Sequence, residues 1–201
     1  RTQLGELMLD PIMQPFVTDL KRQINSKLSQ TGIRLGITWA DLDGIYGGEV
    51  CVAVIQPDDD PDQHSLVMVV DVTGHEAAAI ALLKKVVRNQ ERKGATKRIE
   101  SMAGVDVTVL TIADEFSENQ QRSVFYTMTS NRLVVTDHQA EIQGILQRLN
   151  GTTGPTLADV EAFSVSMAKA AWGDRTGEIR WFLEPFGYAE ASRAANRRSK
   201  Q

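Results

Sequence analysis

Carboxylates and a histidine crowd one stretch of this 201-residue chain, Asp58-Asp59-Asp60-Pro61-Asp62-Gln63-His64. Oxygen donors at this density suit a hard divalent cation. Asp58, Asp60 and His64 are therefore the candidate metal ligands, and a metal-assisted hydrolase is the catalytic activity they would support. The spacing departs from an EF-hand loop, which needs a glycine at its sixth position and an acid at its twelfth. A solvated connection whose charges discourage edge pairing is the better reading. A second acidic fragment, Asp41-Leu42-Asp43-Gly44, begins like a calcium loop. Its neighbours Trp39, Leu42 and Ile45 make it an amphipathic turn instead.

His75 and His138 stand out because they match. Val72-Thr73-Gly74-His75-Glu76-Ala77 is echoed 63 positions later by Val135-Thr136-Asp137-His138-Gln139-Ala140. Both histidines fall at a helix start, where side chains are expected to face solvent. No serine or cysteine motif accompanies them, so a preserved turn explains the match better than paired catalysis does. The chain has no Gly-x-Ser-x-Gly elbow, phosphate loop, dinucleotide fingerprint or His-Glu-x-x-His helix. The one cysteine, Cys51, lies in an apolar run and reads as a small buried hydrophobe; it allows no internal disulfide or cysteine metal cluster. Trp39, Trp172, Trp181, Phe186 and Tyr188 could line an aromatic surface, but core and interface packing is the commoner use. No catalytic residue and no cofactor site is assigned.

The elements that would position these groups are more legible. Thr73 stands three residues before Glu76 and Thr136 three before Gln139, the spacing of a capping box. Behind the first cap Ala79, Ile80, Leu83, Val86 and Val87 form an apolar helical face; behind the second, Ile142, Ile145, Leu146 and Leu149 do. The pair is read as a duplicated β-β-α unit over residues 49–93 and 123–149. Its helices are expected on one face of one sheet, with Leu83 and Leu146 buried there and His75 and His138 exposed. Val50–Ile55 is almost continuously apolar, as a central strand covered on both faces would be. Leu66–Val72 is its partner. Residues 97–102 and 105–112 form a hairpin about Ala103-Gly104, and 124–129 with 133–136 another about Ser130-Asn131.

Residues 1–46 read as a helical segment, with Asp10 as N-cap, Pro11 in the first turn and a stripe from Met13 to Leu28. A last helix, capped by Thr156 with Asp159, carries Val160, Phe163 and Met167 inward, and 178–183 reads as a final strand. The expected fold is α+β, a largely antiparallel sheet with helices packed against it, as a single domain over 1–190.

The composition, 42% hydrophobic and 24% charged, is that of globular material. No apolar run approaches the roughly 20 residues of a membrane span, so no membrane insertion by this stretch is expected. The formal charge of −4 hides a basic end: residues 191–201 carry Arg193, Arg197, Arg198 and Lys200 and no acid. They read as a frayed tail. The remaining body is strongly acidic, which argues against nucleic acid as a partner. The chain opens at Arg1 rather than Met and reads as a piece of a longer protein.

Several phrases together resemble a known family: Leu4-Gly5-Glu6-Leu7-Met8-Leu9-Asp10-Pro11 followed by Pro15-Phe16, then Gly47-Gly48-Glu49-Val50. The strand ending Val70-Asp71-Val72-Thr73-Gly74 and the phrase Thr156-Leu157-Ala158-Asp159 continue the likeness. The family is an uncharacterised set of large bacterial proteins, predicted to be exported or membrane-attached and found mostly in planctomycetes. The resemblance implies an extracytoplasmic location and a longer parent, and it supplies no activity. The expected function is a non-catalytic binding or scaffolding module, with protein partners or other segments of the parent as its targets. The alternatives are the metal-assisted hydrolase and a carrier of apolar ligands held between sheet and helices.

Overall fold

β-Branched and aromatic residues suit the pleated, half-buried surface of a sheet, and five strands rich in them, with a more polar sixth, pair in one antiparallel sheet among the described residues. The computed structural model describes residues 44–57, 64–113, 121–170 and 182–198. In chain order the strands are β1 (Val50–Ile55), β2 (Ser65–Asp71), β3 (Thr96–Met102), β4 (Val105–Ala113), β5 (Gln121–Thr129) and β6 (Arg132–Thr136). Across the sheet they run β1-β2-β6-β5-β4-β3. The described helices are α1 (Glu76–Arg92), α2 (Gln139–Leu149), α3 (Glu161–Ala170) and α4 (Pro185–Arg198). The fold is α+β.

Both expected hairpins are present, and their turns explain their sharpness. Ala103 and Gly104 have φ of 49° and 76°, Ser130 and Asn131 of 48° and 56°. Two consecutive left-handed residues make the turn whose twist matches that of the flanking strands. Tight registers follow, with Met102 opposite Val105 and Thr129 opposite Arg132.

Each central strand feeds two cores, because successive side chains point to opposite faces. Met68, Val70, Leu110, Val124, Tyr126, Leu133 and Val135 pack on one side, against Ala79, Leu82, Val86 and Val87 of α1. Val107, Val109, Phe125 and Val134 pack on the other, against Ile142 and Leu146 of α2. The two helices therefore lie on opposite faces of the sheet.

That placement corrects the duplicated unit. β2 and β6 are antiparallel neighbours, so a two-fold relating them would run normal to the sheet and leave both helices on one face. With the helices on opposite faces, the two β-β-α units differ in hand and do not superpose. The buried leucine of α1 is Leu82, while Leu83 is half-buried and Ile80 is exposed. Helix α1 is rotated by one position from the face read in the sequence. The caps are corrected too. The residues preceding α1 and α2 are His75 and His138, neither with a side-chain cap bond.

Thr73 instead donates its hydroxyl (2.6 Å) and its amide (3.0 Å) to Asp71 Oδ1, and the Gly74 amide donates to Glu76 Oε1 at 3.0 Å. These Thr73 hydrogen bonds, with Arg132 across the ladder, hold the Asp71 carboxyl below its usual value. A lowered carboxyl favours the folded turn at neutral pH, and that contribution is lost as pH falls through the depressed value. Thr136 is buried in the sheet, where its Oγ1 meets Ser65 Oγ at 3.1 Å.

The Thr156 capping box does form, with the Thr156 amide 2.7 Å from Asp159 Oδ2. It caps a 3-10 turn, Leu157–Asp159, and α3 begins only at Glu161. Val160 is exposed, and Phe163 and Met167 are half-buried. Phe163 meets Phe182 edge-to-face with ring centres 5.3 Å apart. Phe182 and Leu183 are not in a strand, while residues 178–181 fall outside the described stretches. The basic end is helical as far as Arg198 rather than frayed. The helical reading of 1–43 also lies outside the described residues.

β1 is an edge strand, not a central one. Among the described residues it pairs with β2 alone, and its exposed residues include Val52 (44%), Val54 (53%) and Cys51. The half-covered sulfur makes the thiolate costly, and Glu49 adds to this, so the Cys51 thiol titrates above its usual value.

Candidate functional site

Asp58 and Asp60 lie outside the described residues, as do Asp41 and Asp43. His64 is half-buried just before β2 and has an interaction partner. Among the described residues no group of three or more histidines, cysteines and acids gathers closely enough to hold a metal. His75 and His138 precede helices on opposite faces of the sheet and do not converge.

A cluster of catalytic-looking residues sits where β2 begins and β6 ends. Ser65 Oγ donates to Asp137 Oδ1 at 2.9 Å, and the same oxygen accepts the Leu66 amide at 2.9 Å. The His138 amide donates to Thr136 Oγ1 at 3.3 Å. A nucleophilic serine needs a base to take its proton, yet here the hydroxyl is spent on a carboxylate and fully buried. The cluster is a tie: it satisfies buried polar groups at the strand end and clamps the turn into α2.

A more open feature lies beside α1. A groove of about 420 Å³ runs between α1 and the β3–β5 part of the sheet. Its helix wall is one helical face, with Ile80, Leu83 and Val87 interleaved with Lys84, Arg88 and Glu91. Lys97 of β3, Asp106 and Thr108 of β4, and Tyr126 and Met128 of β5 make the floor. The groove exists because one helix cannot cover the whole of this face. Ile99 of β3, opposite Thr108 in register, is left 61% exposed.

Tyr126 is the buried polar group of this floor. It is 4% exposed, and its phenol oxygen is itself shut off from solvent. A side-chain hydrogen bond with Thr108, which stands opposite it in register, eases its ionisation slightly. Burial dominates, with Glu91 adding, and the phenol is pushed up to about 12; at neutral pH it is a donor. Sequence reading missed this site. The signal available was Lys84 and Arg88 set four apart along an apolar stripe, and a tyrosine in an apolar strand.

Comparisons with family models, with curated proteins and with solved structures found no match. The class that the fold defines is thus an architectural one: among the described residues, a six-stranded antiparallel sheet with α1 packed on one face and α2 on the other.

Proposed function

We propose that this chain is a non-catalytic binding or scaffolding module of an exported or envelope-associated bacterial protein, engaging an extended protein segment along β1. The observation that carries the binding reading is the character of that edge. Val50-Cys51-Val52-Ala53-Val54-Ile55 is uncharged throughout and unbroken in its pairing with β2. Exposed edges are ordinarily guarded by charges, proline or bulges, because unpaired amides and carbonyls recruit other strands. The opposite edge follows that rule: β3 carries Lys97, Arg98 and Glu100, and Arg98 pairs with Glu100. An unguarded edge is what strand addition requires. Helix α4 reaches β1 and would flank the added strand. The extracytoplasmic setting rests on the family resemblance.

Without its partner, such an edge pairs with its own copy. Sedimentation velocity is expected to show a concentration-dependent dimer for the wild-type chain. The double variant Val52→Lys, Val54→Lys should stay monomeric with unchanged circular dichroism. A wild-type chain that stays monomeric to about millimolar concentration would remove the strand-addition reading.

The metal-assisted hydrolase makes an opposite prediction. Cation bound at a hundred times its dissociation constant would raise stability by about 2.7 kcal/mol and Tm by roughly 5–10 °C. Under the binding reading, millimolar calcium or zinc leaves Tm unchanged in a thermal-shift assay. A rise of that size, abolished by His64→Ala, would restore the hydrolase.

A further inference from the structure

We infer, resting on the edge reading above, that the segment β1 takes is the β1 of a second copy, paired antiparallel about a two-fold axis through Val52. The hydrogen-bond phase of the strand fixes which of its groups are free. The Asp71 amide donates to Glu49 O at 2.9 Å, while the next amide, that of Val72, turns to Asn131 O on the far side of β2 at 2.9 Å. Bonding residues alternate along a strand, so Cys51, Ala53 and Ile55 exchange bonds with Val69, Val67 and Ser65. Val50, Val52 and Val54 therefore aim their amides and carbonyls outward, where no described strand lies.

That outward row fits its own copy. An added strand bonds only where its free groups fall opposite Val50, Val52 and Val54, which excludes a slip of one residue. With the axis at Val52, Val50 meets the partner's Val54 and Val52 meets the partner's Val52. All the outward residues then bond at once. An axis at Cys51 or Ala53 sets one of them opposite Gly48 or Gln56, outside the strand. The side chains agree, because Val50-Cys51-Val52-Ala53-Val54 reads almost the same in both directions. Valine faces valine on the α1 side, where Val50 packs against the core. On the other side small Cys51 faces small Ala53 at the narrower, non-hydrogen-bonded spacing. A two-fold also sets any charge on the axis against its own kind. β1 has none, and Glu49 falls opposite the partner's Ile55. The seam would join two six-stranded sheets into one. One short strand is a small interface, so the dimer is expected to be weak and concentration-dependent.

The test is disulfide trapping on the full chain. The double variant Cys51→Ser, Ala53→Cys moves the lone thiol two places along β1. Mixed with wild type, it sets the two thiols directly opposite, with Cα atoms about 4.5 Å apart and within disulfide reach. In either chain alone the thiols stand diagonally, roughly 7–8 Å apart and out of reach. In a glutathione redox buffer the mixture is expected to give about tenfold more disulfide-linked dimer, read by intact mass, than either chain alone. Adding Val52→Lys to both chains sets like charges on the axis and should cut that yield about tenfold. Dominant cross-linking of wild type alone puts the axis at Cys51, and of the double variant alone at Ala53. Either overturns the inference and leaves the edge reading standing. So does a sedimentation dimer, abolished by Val52→Lys, Val54→Lys, that no thiol combination traps. A mixed cross-link indifferent to Val52→Lys overturns it as well. A wild-type chain that sediments as a monomer, with no cross-link in the mixture, removes the edge reading and the inference together.

Discussion

Truncating Leu146 to alanine is expected to lower the unfolding free energy by about 2–5 kcal/mol, while Leu83→Ala costs roughly 1 kcal/mol. The two leucines hold corresponding places in the helices that follow β6 and β2, yet their surroundings differ. Leu146 is fully buried with Phe125, Val134 and Ile142, so removing its branched end leaves a cavity that neighbouring strands cannot collapse into. Leu83 is half-buried at the groove wall, where water fills the space. Leu82, the inward residue of α1, should behave like Leu146. Urea denaturation of the three variants provides the comparison. Equal costs at Leu83 and Leu146 would contradict the rotation of α1.

The second large effect is expected at Gly47. A Cβ there would be driven onto the carbonyl oxygen of Thr73 and within 2.9 Å of its carbonyl carbon. Both atoms are backbone, and the Gly47 amide already donates to Asp71 O at 2.8 Å. The chain cannot back away without breaking that bond and the return bond from the Asp71 amide to Glu49 O at 2.9 Å. Gly47→Ala should therefore cost about 3 kcal/mol, the upper end of overpacking penalties. Gly154→Ala is the control, since nothing lies within 4 Å of its Cβ position and its φ is ordinary. That change should be neutral or stabilising by about 0.5 kcal/mol. If Gly47→Ala proves neutral by the same urea measurement, the close approach of the Gly47 turn to the end of β2 is not as described.

Both effects mark what local patterning hides. The six-residue apolar run of β1 looks like that of β2, because a strand's own residues do not record how many neighbours it has. Strand order alone turns β1 into an exposed edge and Cys51 into a surface residue. The cap expected at Thr73 does not form because its hydroxyl and amide both donate to Asp71, two residues earlier, instead of the hydroxyl oxygen accepting an amide of the helix start. The groove escaped notice for a related reason. Its residues come from four separate elements, and only Lys84, Arg88 and their apolar neighbours are close in sequence.

Local chemistry alone determined the α+β class, the two tight hairpins and the existence of α1 and α2. Each of these depends on a few adjacent residues: left-handed turn positions at Ala103-Gly104 and Ser130-Asn131, alternation along β4, and helical spacing behind each turn. Only the tertiary structure decided which face each helix covers, which strand is the edge and that Tyr126 lines a groove. An amphipathic helix presents the same stripe to either side of a sheet, and β2, β5 and β6 are apolar on both sides. The repeated turn at His75 and His138 could therefore send its helix either way, and packing sent the two in opposite directions.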